Sequence, residues 1–201
     1  MQFESGHIYH IYNQGNNQRK VFFDRENYLF FLSKLRTHIL PYGDIFAWCL
    51  MPNHFHLMVL VNDVIGGATQ SRASNDIIRA SNDVKTIDLN HSIGIMIASY
   101  TRAINKQRNM SGSLFRSRTK AECIDCINKL TPSFIGNEII ISNPQKQYPQ
   151  VCFDYIHQNP VKAKLVKKAE DWEYSSAIDF AGIRDGNLIN RNVARQYLDF
   201  K

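Results

Sequence analysis

The chain has no apolar run near the ~18–20 residues that cross a bilayer. Its start, Met1-Gln2-Phe3-Glu4-Ser5-Gly6-His7, lacks the basic residues and apolar stretch of a secretory leader. A cytoplasmic protein with no membrane partner is expected. Cysteine is scarce, four of 201 residues. Cys123-x-x-Cys126 is half of a zinc or redox motif, but there is no second CxxC, and the pair does not open a strand-to-helix turn. Cys49, Cys123, Cys126 and Cys152 are therefore expected as reduced thiols. Compositional bias is also missing. With 44% hydrophobic and 21% charged residues, disordered, collagen-like and coiled-coil classes are excluded. The length suits one domain over residues 1–201 with a substantial core.

Acidic residues are the minority charge, 18 against 24 Lys and Arg, for a formal net charge of +6. The excess is clustered. Arg102, Lys106, Arg108, Arg116, Arg118, Lys120 and Lys129 face only Glu122 and Asp125 between Tyr100 and Leu130, and Lys162, Lys164, Lys167 and Lys168 follow. Clustered cations suit a polyanion, because neutralising phosphates releases counterions. A solubilising face accounts for the charge equally well.

Periodicity divides the chain. His7–Asn13 is aromatic and β-branched and reads as a strand. Asp24 caps a helix from about Glu26 to Leu40, with Tyr28, Phe31, Leu32, Leu35 and Ile39 at helical spacing. Ile45–Leu50 and His54–Val61 form a hairpin across Met51-Pro52-Asn53. Asn62–Asn90 is polar and carries a short tandem repeat, Arg72-Ala-Ser-Asn-Asp76 and Arg79-Ala-Ser-Asn-Asp83, and reads as a flexible insertion. Ser92–Gln107 is helical, with Ile93, Ile97, Tyr100 and Ile104 on one stripe. Leu114–Ile124 reads as a strand edged with Arg116, Arg118 and Lys120. Asp125–Gln150 reads as a second flexible insertion, punctuated by Pro132, Pro144 and Pro149. Val151–Gln158 is a short helix stopped by Pro160. Asp171–Ala177 and Arg191–Tyr197 are short helical pieces. The order β-α-β-β-α-β predicts an α+β, ferredoxin-like, four-stranded antiparallel sheet, with an added C-terminal helix carrying Tyr155 beside it.

Two words carry chemistry. In Pro52-Asn53-His54-Phe55-His56 the strand period of two puts both imidazoles on one face, half of a metal site or simply a half-buried pair. In Asp154-Tyr155-Ile156-His157-Gln158-Asn159-Pro160, Tyr155 and Asn159 stand at i and i+4 on one helical face. A core tyrosine is the plain alternative, and Tyr100 is a second candidate nucleophile whose stripe points to the core.

Together these words resemble the HUH single-tyrosine DNA transposases, and within them the REP-associated tyrosine transposases. Asn13-Gln-Gly-Asn-Asn17 with Val21-Phe22-Phe23, Ser99-Tyr100-Thr101, Gly112-Ser-Leu-Phe115-Arg116-Ser-Arg118 and Trp172-Glu-Tyr-Ser-Ser176 extend the resemblance over most of the chain outside the two insertions. It implies His54 and His56 as metal ligands, Asn159 as the polar residue that helps hold the metal, and Tyr155 as nucleophile. The implied activity is nicking and joining of single-stranded or hairpin DNA through a 5′-phosphotyrosine. Mg²⁺ or Mn²⁺ suits phosphate, and Mn²⁺ also accepts imidazole. Arg102, Lys106, Arg116, Arg118 and Lys120 are then candidate DNA contacts, and the protein is a monomer or homodimer. Two departures stand out: Asp125–Gln150 is longer than the family's short link, and Lys164 stands where the family pattern commonly has glycine. Two other readings use the same residues: a catalytically decayed DNA- or RNA-binding module, and a structural zinc protein with His54, His56, Cys123 and Cys126 as ligands.

Overall fold

Side-chain alternation along strand β1 (Ile8–Gln14) sorts the whole molecule into two layers. Tyr9 and Ile11 enter one apolar core while Ile8 enters another across the sheet. In a computed structural model, describing residues 2–62, 88–126 and 144–200, β1 is joined by β2 (Gly43–Met51), β3 (His54–Val61) and β4 (Lys120–Cys123). The sheet order is β2-β3-β1-β4 and every neighbouring pair is antiparallel. β1 thus runs with β2, and β3 with β4, each pair split by one strand, which is the ferredoxin-like arrangement.

Helix α1 (Arg25–His38) begins where Asp24 accepts the Asn27 N–H at 3.0 Å, and α2 (Leu89–Arg108) where Asp88 accepts that of His91 at 2.7 Å. Their apolar stripes, Phe31 and Leu35 on α1 and Ile93, Met96 and Ile104 on α2, close over Ile11, Phe55, Leu57 and Val59. The opposite face packs Ile8, Cys49, Met58 and Leu60 against Cys152, Phe153 and Ile156 of α3 (Pro144–Lys162). A register shift between Ile45 and Ala47 turns both Phe46 and Ala47 to this second core. The tyrosine-bearing helix therefore covers the face opposite the helix pair. No helix among the described residues is long and apolar enough to cross a membrane.

Several boundaries differ from the sequence reading for identifiable reasons. β4 is four residues long rather than the run Leu114–Ile124. Beyond Tyr12 the ladder gives way to Asn13, whose Nδ2 donates to Arg116 O (3.2 Å) and Thr119 Oγ1 (3.0 Å). Arg116 and Arg118 accordingly sit on an irregular segment, not a strand. Helix α3 does not stop before Pro160. In the last turn a proline removes one helical donor, and the end is closed by Ala163 N–H to Asn159 O, Lys164 N–H to Val161 O and Leu165 N–H to Pro160 O. Trp172–Ser176 lies against β2, with Leu50 N–H donating to Tyr174 O and Ser176 N–H to Trp48 O. A 3₁₀ turn (Ala169–Asp171) precedes it, and the short helices α4 (Ala177–Phe180) and α5 (Arg191–Ala194) follow. Of the two expected insertions, residues 63–87 and 127–143 lie outside the described residues. Asp88, Leu89 and Asn90 instead cap and open α2, and residues 144–150 open α3.

The cysteines also differ. Cys123 and Cys126 form a disulfide, with Cα atoms 5.7 Å apart, because the chain turns at Ile124-Asp125 directly after β4 and brings Cys126 back to Cys123. Cys49 and Cys152 are buried free thiols, as expected. A zinc site combining His54 and His56 with this pair is ruled out by register. His56 pairs across from Tyr12 and Cys123 across from Tyr9, roughly 10 Å apart along β1.

Candidate active site

His54 and His56 open β3 with their rings 5.0 Å apart and nearly perpendicular. Each has its Nδ1 engaged. His54 Nδ1 lies 2.6 Å from Asn53 Oδ1, and His56 Nδ1 lies 2.9 Å from His10 Nε2 on β1. Nε2 is then the atom each ring would offer a cation, and at His54 the Asn159 side chain is a neighbour such a cation would share. Burial pushes both pKa values down, more strongly at His56, where His10 and His54 add to it. The Asn159 side chain acts in the opposite direction on His54. Both rings are therefore neutral at neutral pH, the form that ligates metals.

Tyr155 reaches this pair from α3. Its half-buried ring stands edge-on to His56 at 5.4 Å and to His10 at 6.0 Å. Burial raises the phenol pKa, and a hydrogen bond with the Asn159 side chain opposes the rise. Asn159, one turn later, also donates Nδ2–H to Tyr155 O at 2.8 Å. One amide thus touches both the tyrosine and His54. Lys162 Nζ lies 5.2 Å from the Tyr155 ring centroid.

His54, His56 and Tyr155 line a cleft of about 230 Å³ together with Tyr12, Asn13 and the exposed Arg116, Arg118 and Lys120. A larger groove of about 1110 Å³ adjoins it, sharing Asn13, Arg116 and Arg118 and adding Arg102 from α2. Lys106, also on α2, is exposed and borders neither. The structure thus gathers His54, His56, Tyr155 and Asn159 at one point, with Arg116, Arg118 and Lys120 around it and Arg102 nearby. Tyr100 stands apart: it is 0% exposed, and its hydroxyl donates to Val21 O at 2.9 Å. It is a core residue.

Sequence reasoning overlooked His10, Tyr12 and Glu122. Tyr12 donates to Glu122 Oε1 at 2.6 Å and stacks on His10. The signal was present, since period two puts His10 and Tyr12 on one face of β1, but which face meets His56 depends on strand register. His157 was also unassigned. Its Nε2 sits 2.7 Å from Ser176 Oγ, which in turn accepts the Trp48 N–H at 2.9 Å. This buried link ties α3 to β2 through the Trp172–Ser176 segment.

The donor set fits a divalent cation of intermediate hardness: two neutral imidazoles with oriented rings in a cleft open to solvent, with the Asn159 amide against His54. No protein-family model matches the chain, and no curated protein matches it in sequence. A solved structure does match in fold. It is that of a REP-associated tyrosine transposase bound to a REP hairpin, 15% identical, covering 95% of each chain with a TM-score of 0.53. The chain shares the fold of a REP-associated tyrosine transposase. That transposase fold and the α+β, ferredoxin-like sheet expected from element order are in agreement.

Proposed function

We propose that this chain is a divalent-metal-dependent endonuclease and strand-transferase for single-stranded or hairpin DNA, a transposase acting through a 5′-phosphotyrosine on Tyr155. The observation that carries the reading is the approach of the Tyr155 ring to within 5.4 Å of His56, inside one chain and in a cleft edged by three cations. The fold shared with a transposase solved on a DNA hairpin is consistent with it.

His54, His56 and Asn159 would hold the cation, Mg²⁺ or Mn²⁺. A divalent cation there neutralises the phosphodiester oxygens that repel a nucleophile and orients the phosphorus for in-line attack. Arg116, Arg118 and Lys120 hold the nucleic-acid backbone over the cleft, and Arg102 extends that surface along the groove. Tyr155 Oη attacks the phosphorus and loses its proton as the new P–O bond forms. The O3′–P bond breaks and leaves a free 3′-hydroxyl, with the 5′-phosphate esterified to Tyr155. Reversal by another 3′-hydroxyl joins strands without an external energy source, because the ester conserves the phosphodiester bond.

Incubation with hairpin-containing single-stranded DNA and Mn²⁺ or Mg²⁺ should give an adduct that survives denaturation. Tyr155→Phe should bind the same DNA and form none. Binding without an adduct under either metal would replace this reading with that of a DNA-binding module that does no chemistry.

A further inference from the structure

At the other end of β1, far from the cleft, His7, Cys123, Asp125 and Cys126 bring one ligand atom each to within 4.8 Å of the others. Two of the four are the disulfide partners. His7 Nδ1 lies 3.4 Å from Asp125 Oδ1, yet its atom is buried and has no hydrogen-bond partner among the described residues. Cys123 Sγ lies 3.4 Å from the same oxygen. The backbone beneath is held on three strands. Ile8 N–H donates to Asp125 Oδ1 at 2.9 Å, Ile124 N–H to Ile8 O at 2.9 Å and Val61 N–H to His7 O at 3.0 Å. Three of the four ligand residues, His7, Cys123 and Asp125, are thus positioned by sheet hydrogen bonds or directly beside them.

We propose that reduction of the Cys123–Cys126 disulfide converts this cluster into a tetrahedral site for Zn²⁺. Two sulfurs, an imidazole and a carboxylate form a donor set for a thiophilic ion of borderline softness, and a poor one for Mg²⁺. His7 Nδ1, buried without a hydrogen bond and facing the Asp125 carboxylate at 3.4 Å, is the atom a metal ion would use. A dithiol reductant supplies two electrons and two protons, the S–S bond opens to two thiols, and the reductant leaves as its disulfide. Zinc binding then displaces both thiol protons to solvent. With each sulfur about 2.3 Å from the ion the two must stand roughly 3.7 Å apart, so disulfide and metal exclude one another. The site would clamp the N-terminal segment to the end of β4 in a reducing compartment and release the metal on oxidation. It is independent of the function proposed above.

The full-length chain, reduced with dithiothreitol and freed of it, is loaded with Zn²⁺ or Co²⁺ and gel-filtered. The background carries His54→Ala and His56→Ala, so that the cleft contributes no metal. A retained one-to-one complex is expected, with thiolate-to-cobalt charge-transfer bands and tetrahedral visible bands for Co²⁺. Cys123→Ser with Cys126→Ser should lose both. His7→Ala should weaken binding by about tenfold or more. In the reduced chain with both cysteines intact, zinc should shield two thiols from a thiol reagent until a chelator is added, a readout that needs no cysteine variant to fold. No retained metal, cobalt spectra without the charge-transfer bands, thiols equally reactive with and without zinc, or metal kept by a folded cysteine variant would each overturn the proposal.

Discussion

His10 Nε2 on β1 lies 2.9 Å from His56 Nδ1 on β3, and both rings are almost wholly buried. A histidine that binds metal through Nε2 carries its proton on Nδ1, so with the proposed cation bound His56 would donate and His10 accept. His10 is in this account a positioning residue: it holds the ring plane and the tautomer of His56 without lying in the cleft.

Removing that partner has a specific signature. His10→Ala should weaken Mn²⁺ binding at the cleft by about 10–100-fold and shift adduct formation to higher metal concentration. Affinity for hairpin DNA should stay unchanged. Calorimetric metal titration beside a DNA-binding assay separates the effects. Unchanged metal affinity would remove His10 from the site.

Acid should unfold the protein through its buried histidines. Burial pushes His10 down to about 4 and His157 down to about 3, from an ordinary value of 6.5. Between those values and 6.5 the unfolded chain binds more protons than the folded one. The histidine contribution to stability is therefore flat above about pH 7 and falls as pH drops from about 6.5 toward 4. Urea unfolding across that range should show it, and His157→Gln should flatten the slope. Stability from these groups that grows on acidification would contradict the burial assignment.

Lys164 adopts φ 56°, in the left-handed region, at the residue that closes α3. Its N–H donates to Val161 O, and Leu165 N–H to Pro160 O, the paired bonds of a Schellman end, where glycine carries no Cβ penalty. Lys164→Gly should stabilise the protein by about 1 kcal/mol. A loss of stability in urea unfolding would show that the lysine side chain makes a compensating contact.

The cationic residues should divide by position. Arg116→Ala and Arg118→Ala should each weaken hairpin binding and lower the salt-dependence slope by about 1. Lys106→Ala, on a surface that borders neither cleft nor groove, should do neither. Equal effects from all three would mean that the charge acts diffusely.

The legible parts of this molecule are those set by local repetition. Alternation in His54–Val61 and the stripe through Phe31 and Leu35 dictate strand and helix directly, and the i, i+4 spacing of Tyr155 and Asn159 holds on α3. The placement of α3 across the sheet from α1 and α2 was not legible, because Cys152 and Ile156 are as apolar as any core pair and carry no address. His10 went unassigned for a related reason. Its partnership with His56 depends on the β1–β3 register, a contact between residues far apart in sequence. The β4 boundary turned on the Asn13 side chain, which bonds Thr119 where a ladder would otherwise continue. The disulfide was misread because compartment, not geometry, governed the expectation for Cys123 and Cys126.

If Tyr155 is the nucleophile proposed above, it becomes covalently joined to DNA. Intact-mass spectrometry after incubation with a hairpin oligonucleotide and Mn²⁺ tests it directly. The expected product is heavier by the 3′ portion of the cleaved strand, with the mass mapped by peptide digestion to the phenol of Tyr155 and absent from Tyr155→Phe. Cleavage that persists in Tyr155→Phe, or an adduct mapped to a different residue, would contradict it.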